Sequence, residues 1–276
     1  INTIAYMERV FETMDEPVDI DDKPDAVQMP EMTGRVEFRN VTFGYEPEKT
    51  VLKDVSFTVE PGQSVALVGP TGAGKSTIVN LISRFYDVQG GAVLVDGYNV
   101  ADVTLHSLRS QMGIMLQDSF IFSGTIEENV KYGRLNATMD QVREACHVVH
   151  ADEFIEEMHR GYRAEVQERG GRLSQGQKQL LAFARTIISA PKILILDEAT
   201  SAIDTKTEQY VQEGIAHLLK GRTSFIIAHR LSTIQNCDKI MYISDQNIQE
   251  YGTHDELMAK RGLYYQLYTA QLADDE

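Results

Sequence analysis

The sequence predicts an α/β fold: a parallel sheet built around a phosphate loop, an antiparallel β subdomain ahead of it, and an inserted helical subdomain. Three observations predict it. The apolar run Ser64-Val65-Ala66-Leu67-Val68 leads into Gly69-Pro70-Thr71-Gly72-Ala73-Gly74-Lys75-Ser76, and then into the helical pattern Thr77-Ile78-Val79-Asn80-Leu81-Ile82. Ile193-Leu194-Ile195-Leu196 and Thr223-Ser224-Phe225-Ile226-Ile227-Ala228 are continuous runs of the kind that central parallel strands, covered on both faces, require. Between about residues 118 and 178 strand signals give way to helical ones, so helices and strands alternate around a covered sheet.

Each element follows in order. Ile4, Met7, Val10, Phe11 and Met14 recur at helical spacing, and residues 1–14 read as the end of a longer helix. Residues 15–33 hold Pro17, Pro24 and Pro30 among acidic residues and read as a linker. From Gly34 the pattern changes. Residues 35–43 alternate polar and apolar, the mark of a half-buried antiparallel strand, and residues 54–59 repeat it. Pro61-Gly62 turns the chain into the strand before the phosphate loop. Val93-Leu94-Val95 followed by Asp96-Gly97 predicts a further strand and a tight turn. Helical patterns cover 139–146 and 152–159. Residues 175–188 form a helix with Leu180, Leu181, Phe183, Ala184, Ile187 and Ile188 on its buried stripe. Residues 273–276 are an acidic tail.

At 276 residues, 42% hydrophobic and 24% charged, the composition is that of an ordinary globular fold. A net charge of −15 weighs against nucleic acid as a partner, because phosphate neutralisation needs Lys and Arg. Cys146 and Cys237 stand far apart and form no metal-ligand cluster, which fits a reduced, cytoplasmic setting. No apolar run approaches the roughly 20 residues of a membrane span.

Residues 69–76 fit the phosphate-loop pattern G-x-x-x-x-G-K-[ST] in its required strand–loop–helix context. Gly69, Gly72 and Gly74 let backbone N–H groups turn toward a polyphosphate, with Pro70, Thr71 and Ala73 between them. The helix that opens at Lys75, Ser76 and Thr77 adds unpaired N–H groups and a positive dipole end. Lys75 is expected to reach the β- and γ-phosphates and Ser76 to ligate Mg²⁺. The expected ligand is a nucleoside triphosphate. The second half of such a site is an acid at the end of a neighbouring strand, and residues 193–196 deliver Asp197 followed by Glu198. Asp197 fits a Mg²⁺-side carboxylate, which leaves Glu198 to polarise an attacking water. A helix N-cap with a first-turn acid is the plain alternative for the pair; the phosphate loop upstream favours the first reading.

Leu173-Ser174-Gln175-Gly176-Gln177, about twenty residues before Asp197, is close to the signature L-S-G-G-Q. With it, residues 34–272 resemble the nucleotide-binding domain of an ATP-binding cassette (ABC) transporter of the exporter type, whose core is RecA-like. The resemblance implies ATP and Mg²⁺ as cofactors and ATPase activity. It implies that Tyr45 stacks on adenine, that Gln117 senses Mg²⁺ and the attacking water, that Asp204 belongs to the D-loop, and that His229 contacts the γ-phosphate. It implies that Ser174, Gly176 and Gln177 cover the γ-phosphate held by a second such domain, so that two cassettes pair head to tail. Residues 120–130 and 165–171 resemble exporter segments that line the groove receiving the coupling helices of transmembrane domains. Residues 1–14 then resemble the cytosolic end of a last transmembrane helix, and the implied location is the cytoplasmic face of a cell membrane.

Gln175 departs from the usual glycine, while the chain's own phosphate loop, Asp197, Glu198 and His229 stand intact. That combination resembles one half of a heterodimeric exporter; a homodimer stays open. A soluble relative serving DNA repair or translation would want a long coiled coil or tandem cassettes with basic linkers, and the sequence shows neither. The cargo is not written in this chain.

Overall fold

A computed structural model describes residues 2–115, 120–167, 170–197, 205–228 and 231–275. Helix α1 (Asn2–Met14) leads, with Ile4, Met7, Val10, Phe11 and Met14 all exposed. Strands β1 (Val36–Phe43) and β2 (Leu52–Val59) follow, then β3 (Ser64–Val68) and helix α2 (Lys75–Ile82). Strands β4 (Gly90–Val95) and β5 (Tyr98–Asn99), helix α3 (Leu105–Arg109) and strand β6 (Met112–Met115) complete the first half. The helical subdomain holds a small ribbon, β7 (Gly124–Thr125) with β8 (Glu165–Val166), and helices α4 (Ile126–Lys131), α5 (Met139–Val148), α6 (Ala151–Glu157) and α7 (Gln175–Ser189). Strand β9 (Ile193–Asp197), helix α8 (Thr205–Leu219), strand β10 (Thr223–Ile227) and helix α9 (Leu231–Gln235) return to the core. The hairpin β11 (Lys239–Ser244) and β12 (Asn247–Gly252) and helices α10 (His254–Lys260) and α11 (Leu263–Asp275) close the chain.

Among the described residues the central sheet runs β12-β11-β3-β10-β9-β6, parallel except for β12. Strands β3 and β10 are buried at every position, including Ser64, Thr223 and Ser224 at their starts, as their mostly apolar runs predict. Alternate residues of these strands feed two cores, because successive side chains point to opposite faces. Ala66, Val68, Leu194, Leu196 and Ile226 meet the helical subdomain and the C-terminal helices. Val65, Leu67, Ile193, Ile195, Phe225 and Ile227 meet α2 and the antiparallel sheet β2-β1-β4-β5. The α/β class and the antiparallel pairing expected of residues 35–43 are both present.

The stretch read as a linker lies against the domain. Met29 and Met32 are buried. The Met29 N–H donates to Ser107 Oγ and the Met32 N–H to Gln111 Oε1, both at 2.8 Å. Asp96, in the turn after β4, accepts from the Thr33 and Arg35 N–H groups at 2.6 and 2.8 Å and from the Thr33 hydroxyl at 2.6 Å. Proline spacing carried no sign of this docking, since two isolated methionines make no period.

Candidate nucleotide site

Strand β3 ends inside the sheet and hands the chain to the phosphate loop at the sheet's C-terminal edge. Each glycine there has its own reason. Gly69 has φ +135°, and a Cβ on it would run into the Ile243 carbonyl oxygen of β11. Gly74, at φ +104°, has Leu52 Cδ2 2.9 Å from where a Cβ would stand. Gly72, at φ +80°, faces nothing within 4 Å. Two glycines therefore let the loop pack close to its scaffold, while the third opens its outer side. Gly74 is the N-cap of α2 and supplies no side-chain cap. The first N–H groups of α2 are left for a ligand, which suits an anion.

Lys75 Nζ reaches back over the loop and donates to the Gly69 and Pro70 carbonyl oxygens, at 2.7 and 2.8 Å. Burial pushes the Lys75 ammonium below its ordinary pKa, and the charge of Asp197 pulls the other way. Asp197 ends β9 opposite Ile227, the last residue of β10. Both line a cleft of about 500 Å³ with Tyr45, Glu46, Lys49, Val51, Thr71, Gly72, Gly74, Lys75, Ser76 and Thr77. That size suits a small ligand bound at strand ends. Among the described residues no group of three or more His, Cys, Asp or Glu gathers to hold a metal ion. The Ser76 hydroxyl and the Asp197 carboxylate do line the same cleft. Two hard oxygen donors beside a polyphosphate site fit Mg²⁺, which keeps several waters and takes its other oxygens from phosphate.

Tyr45 stands half-exposed at the mouth of the cleft. Its hydroxyl lies 3.1 Å from Thr77 Oγ1, and Asn80 Nδ2 donates to it at 3.3 Å. The structure thus brings Tyr45, the loop, Lys75, Ser76, Thr77 and Asp197 together. It does not bring the signature residues to this cleft. Ser174 caps α7 in a complete capping box: its Oγ accepts from the Gln177 N–H at 3.2 Å, and Gln177 Oε1 accepts from the Ser174 N–H at 3.0 Å. Ser174 and Gln175 are exposed and Gly176 is buried. Gln117, Glu198, Asp204 and His229 lie outside the described residues, as do Glu168 and Arg169.

A second cleft, of about 480 Å³, opens on the helical subdomain between Phe122, Ser123, Glu128, Asn129, Lys131, Tyr132 and Leu135. Arg185 of α7 braces residues of its lining: it donates to the Asn129 and Phe120 carbonyl oxygens at 3.0 and 2.9 Å and lies over the Phe122 and Tyr132 rings.

A family model described as ABC transporter matches residues 52–201. The chain belongs to the ABC transporter family. An uncharacterized ABC transporter ATP-binding protein of Bacillus subtilis, YfiC, is 49% identical over 98% of this chain and 45% of its own length. A fatty acid ABC transporter ATP-binding/permease protein of Mycobacterium tuberculosis is 48% identical over 97% of the chain and 42% of its own. A solved structure of a bacterial Atm1-family ABC exporter with ATP bound superposes with a TM-score of 0.90 at 41% identity, over 97% of this chain and 47% of that one. The chain spans less than half the length of these relatives, and no described helix is long and apolar enough to cross a membrane. It is an ABC transporter ATP-binding domain of the exporter type. What the sequence missed at the site is the support around Tyr45. Asn80 and Tyr86 carry no motif of their own, and only their spacing from Thr77 and the loop gives them a place.

Proposed function

We propose that this domain is one half of an ATP-driven clamp that powers export across a membrane by the transmembrane domains joined to it. In this reading the phosphate loop and Lys75 hold the phosphates, Tyr45 stacks on adenine, and Ser76, Asp197 and Gln117 hold Mg²⁺. When bound, Mg²⁺ neutralises developing charge on the phosphoryl oxygens. Glu198 polarises the attacking water and His229 contacts the γ-phosphate. Asp204 lies at the junction with a second cassette. Ser174, Gly176 and Gln177 reach over the γ-phosphate held by that second cassette.

The observation that carries the clamp is the separation of two half-sites within one chain. The cleft around Lys75 and Asp197 has no contribution from Ser174, whose helix N-terminus is exposed elsewhere on the surface. A helix N-terminus of that kind favours an anion supplied from outside. Charge-assisted bonds from it to a γ-phosphate hold only while ATP is whole, so cleavage releases the partner cassette. That difference in affinity between two states is what moves attached domains. The cleft around Phe122 and Tyr132 fits the docking groove for coupling helices, because half-exposed aromatics over a fixed guanidinium offer an apolar seat with a polar rim.

The intact catalytic set beside the Gln175-bearing signature favours a heterodimer, in which a partner cassette supplies the ordinary signature to this chain's ATP. Homodimeric assembly is the second reading. The test is Glu198→Gln in the full-length transporter. ATP binding is retained, turnover falls by the ~10²–10⁴ of a lost general base, and the paired cassettes accumulate closed. Unchanged hydrolysis would remove Glu198 from the role.

A further inference from the structure

Tyr45 is fixed from several sides by a single piece of the fold. Thr77 and Asn80 are three residues apart on α2 and so share one face of it; both bond the Tyr45 hydroxyl. Phe43 of β1 meets the ring edge-on at 5.1 Å and 85°. Tyr86 meets it edge-on at 5.0 Å and 84° and also touches Phe43. Tyr86 lies in the turn that follows α2. That turn is closed by Arg84, whose buried guanidinium donates to Asp87 Oδ1 at 2.9 Å and to the Asp21 carbonyl oxygen at 3.0 Å. The supports of Tyr45 thus come from β1, from α2, whose first residues are Lys75 and Ser76, and from the turn after α2. Base and phosphate subsites are tied into one rigid unit.

Resting on the reading of Tyr45 as the nucleobase platform, we propose that Asn80 and Tyr86 are positioning residues that pre-set its ring. An aromatic ring that is 48% exposed loses rotamer freedom when a ligand stacks on it. Two edge-on rings and two hydroxyl contacts remove that freedom before binding. The base then docks on a surface already in place, and its position relative to Lys75 and Ser76 is set by the length of one helix.

The test separates base from phosphate with two probes that the site cannot hydrolyse, ADP and inorganic pyrophosphate, measured by equilibrium dialysis on the whole chain with Mg²⁺ present. Tyr86→Ala and Asn80→Ala each raise the Kd for ADP about 3–10-fold and leave that for pyrophosphate unchanged. Tyr86→Phe, which keeps the ring, stays with the parent. The unchanged pyrophosphate affinity shows that the phosphate loop is folded in every variant. Equal losses on both probes, or no loss on ADP in either Ala variant, overturn the positioning role. Tyr45→Ala is measured alongside. If it shifts the ratio of the two affinities and the supporting variants do not, the positioning role alone fails. If Tyr45→Ala leaves the ratio unchanged, the platform reading fails and this proposal goes with it.

Discussion

The phosphate loop and the signature turn are both helix N-termini, and they are finished in opposite ways. Helix α2 begins at Gly74 with no side-chain cap, its loop held against β11 and β2 by glycines that leave no room for a Cβ at Gly69. Helix α7 begins at Ser174 with a complete capping box, and its next residue, Gln175, projects a full side chain into solvent. The first leaves its N-terminal N–H groups without a side-chain cap, which suits an anion. The second already satisfies itself through Ser174 and Gln177, and in the proposed clamp the partner's phosphate would add to it through the Ser174 hydroxyl proton and the remaining N–H groups. In the proposed clamp, a domain with one strong and one weak half-site binds nucleotide alone and closes only against a partner.

The contrast breaks first at Gly69. Gly69→Ala combines a φ of +135° with a collision against the Ile243 carbonyl oxygen, and backbone strain and overpacking together cost about 2–6 kcal/mol. A thermal melt is expected to show a large drop, and ATP binding is lost. A variant that melts with the parent and binds ATP would mean that the loop does not need its close approach to β11. The contrast sharpens at the other end, where the expected effect is smallest. Gln175→Gly changes an exposed side chain at the first turn of α7 and costs less than about 1 kcal/mol of stability. ATP affinity of this chain stays the same, while ATPase at the composite site covered by this signature rises in the assembled transporter. No rise would mean that Gln175 does not obstruct docking.

The strong half-site was legible in the sequence because its chemistry is local. Residues 64–82 contain strand, loop and helix in one run, and the unbroken apolar strand before Asp197 announced its own burial. The fold class followed from the same alternation of strand and helix. Long-range features were not legible. The hairpin β11–β12, which supplies the wall against Gly69, pairs through β11 with β3 from about 170 residues away. Arg84, among the largest fully buried side chains of the described residues, carries no local signal that sets it apart from a surface charge. The docking of residues 15–33 uses Asp96, Arg84 and two buried methionines among its contacts, which no pattern marks. Desolvation raises the Asp96 pKa, but hydrogen bonds from Thr33, Arg35 and Gly34 outweigh it and hold the carboxyl below its ordinary value. This anchor is therefore present above the usual carboxylate range and weakens as pH falls through that lowered value.

The central claim is that ATP joins the strong half-site of one cassette to the weak half-site of another. The direct measurement is a cysteine cross-link in the full-length transporter, with Ser174→Cys in one cassette and Thr71→Cys, or its equivalent, in the cassette it pairs with. Both positions are exposed, and the native Cys146 and Cys237 are buried. Burial, with Asp152 adding its charge, pushes the Cys146 thiol up to about 12, so it stays unreactive. The account predicts a cross-link between cassettes that forms with ATP in a Glu198→Gln background and disappears without nucleotide. A cross-link absent with ATP, or equally strong with and without it, would contradict the account.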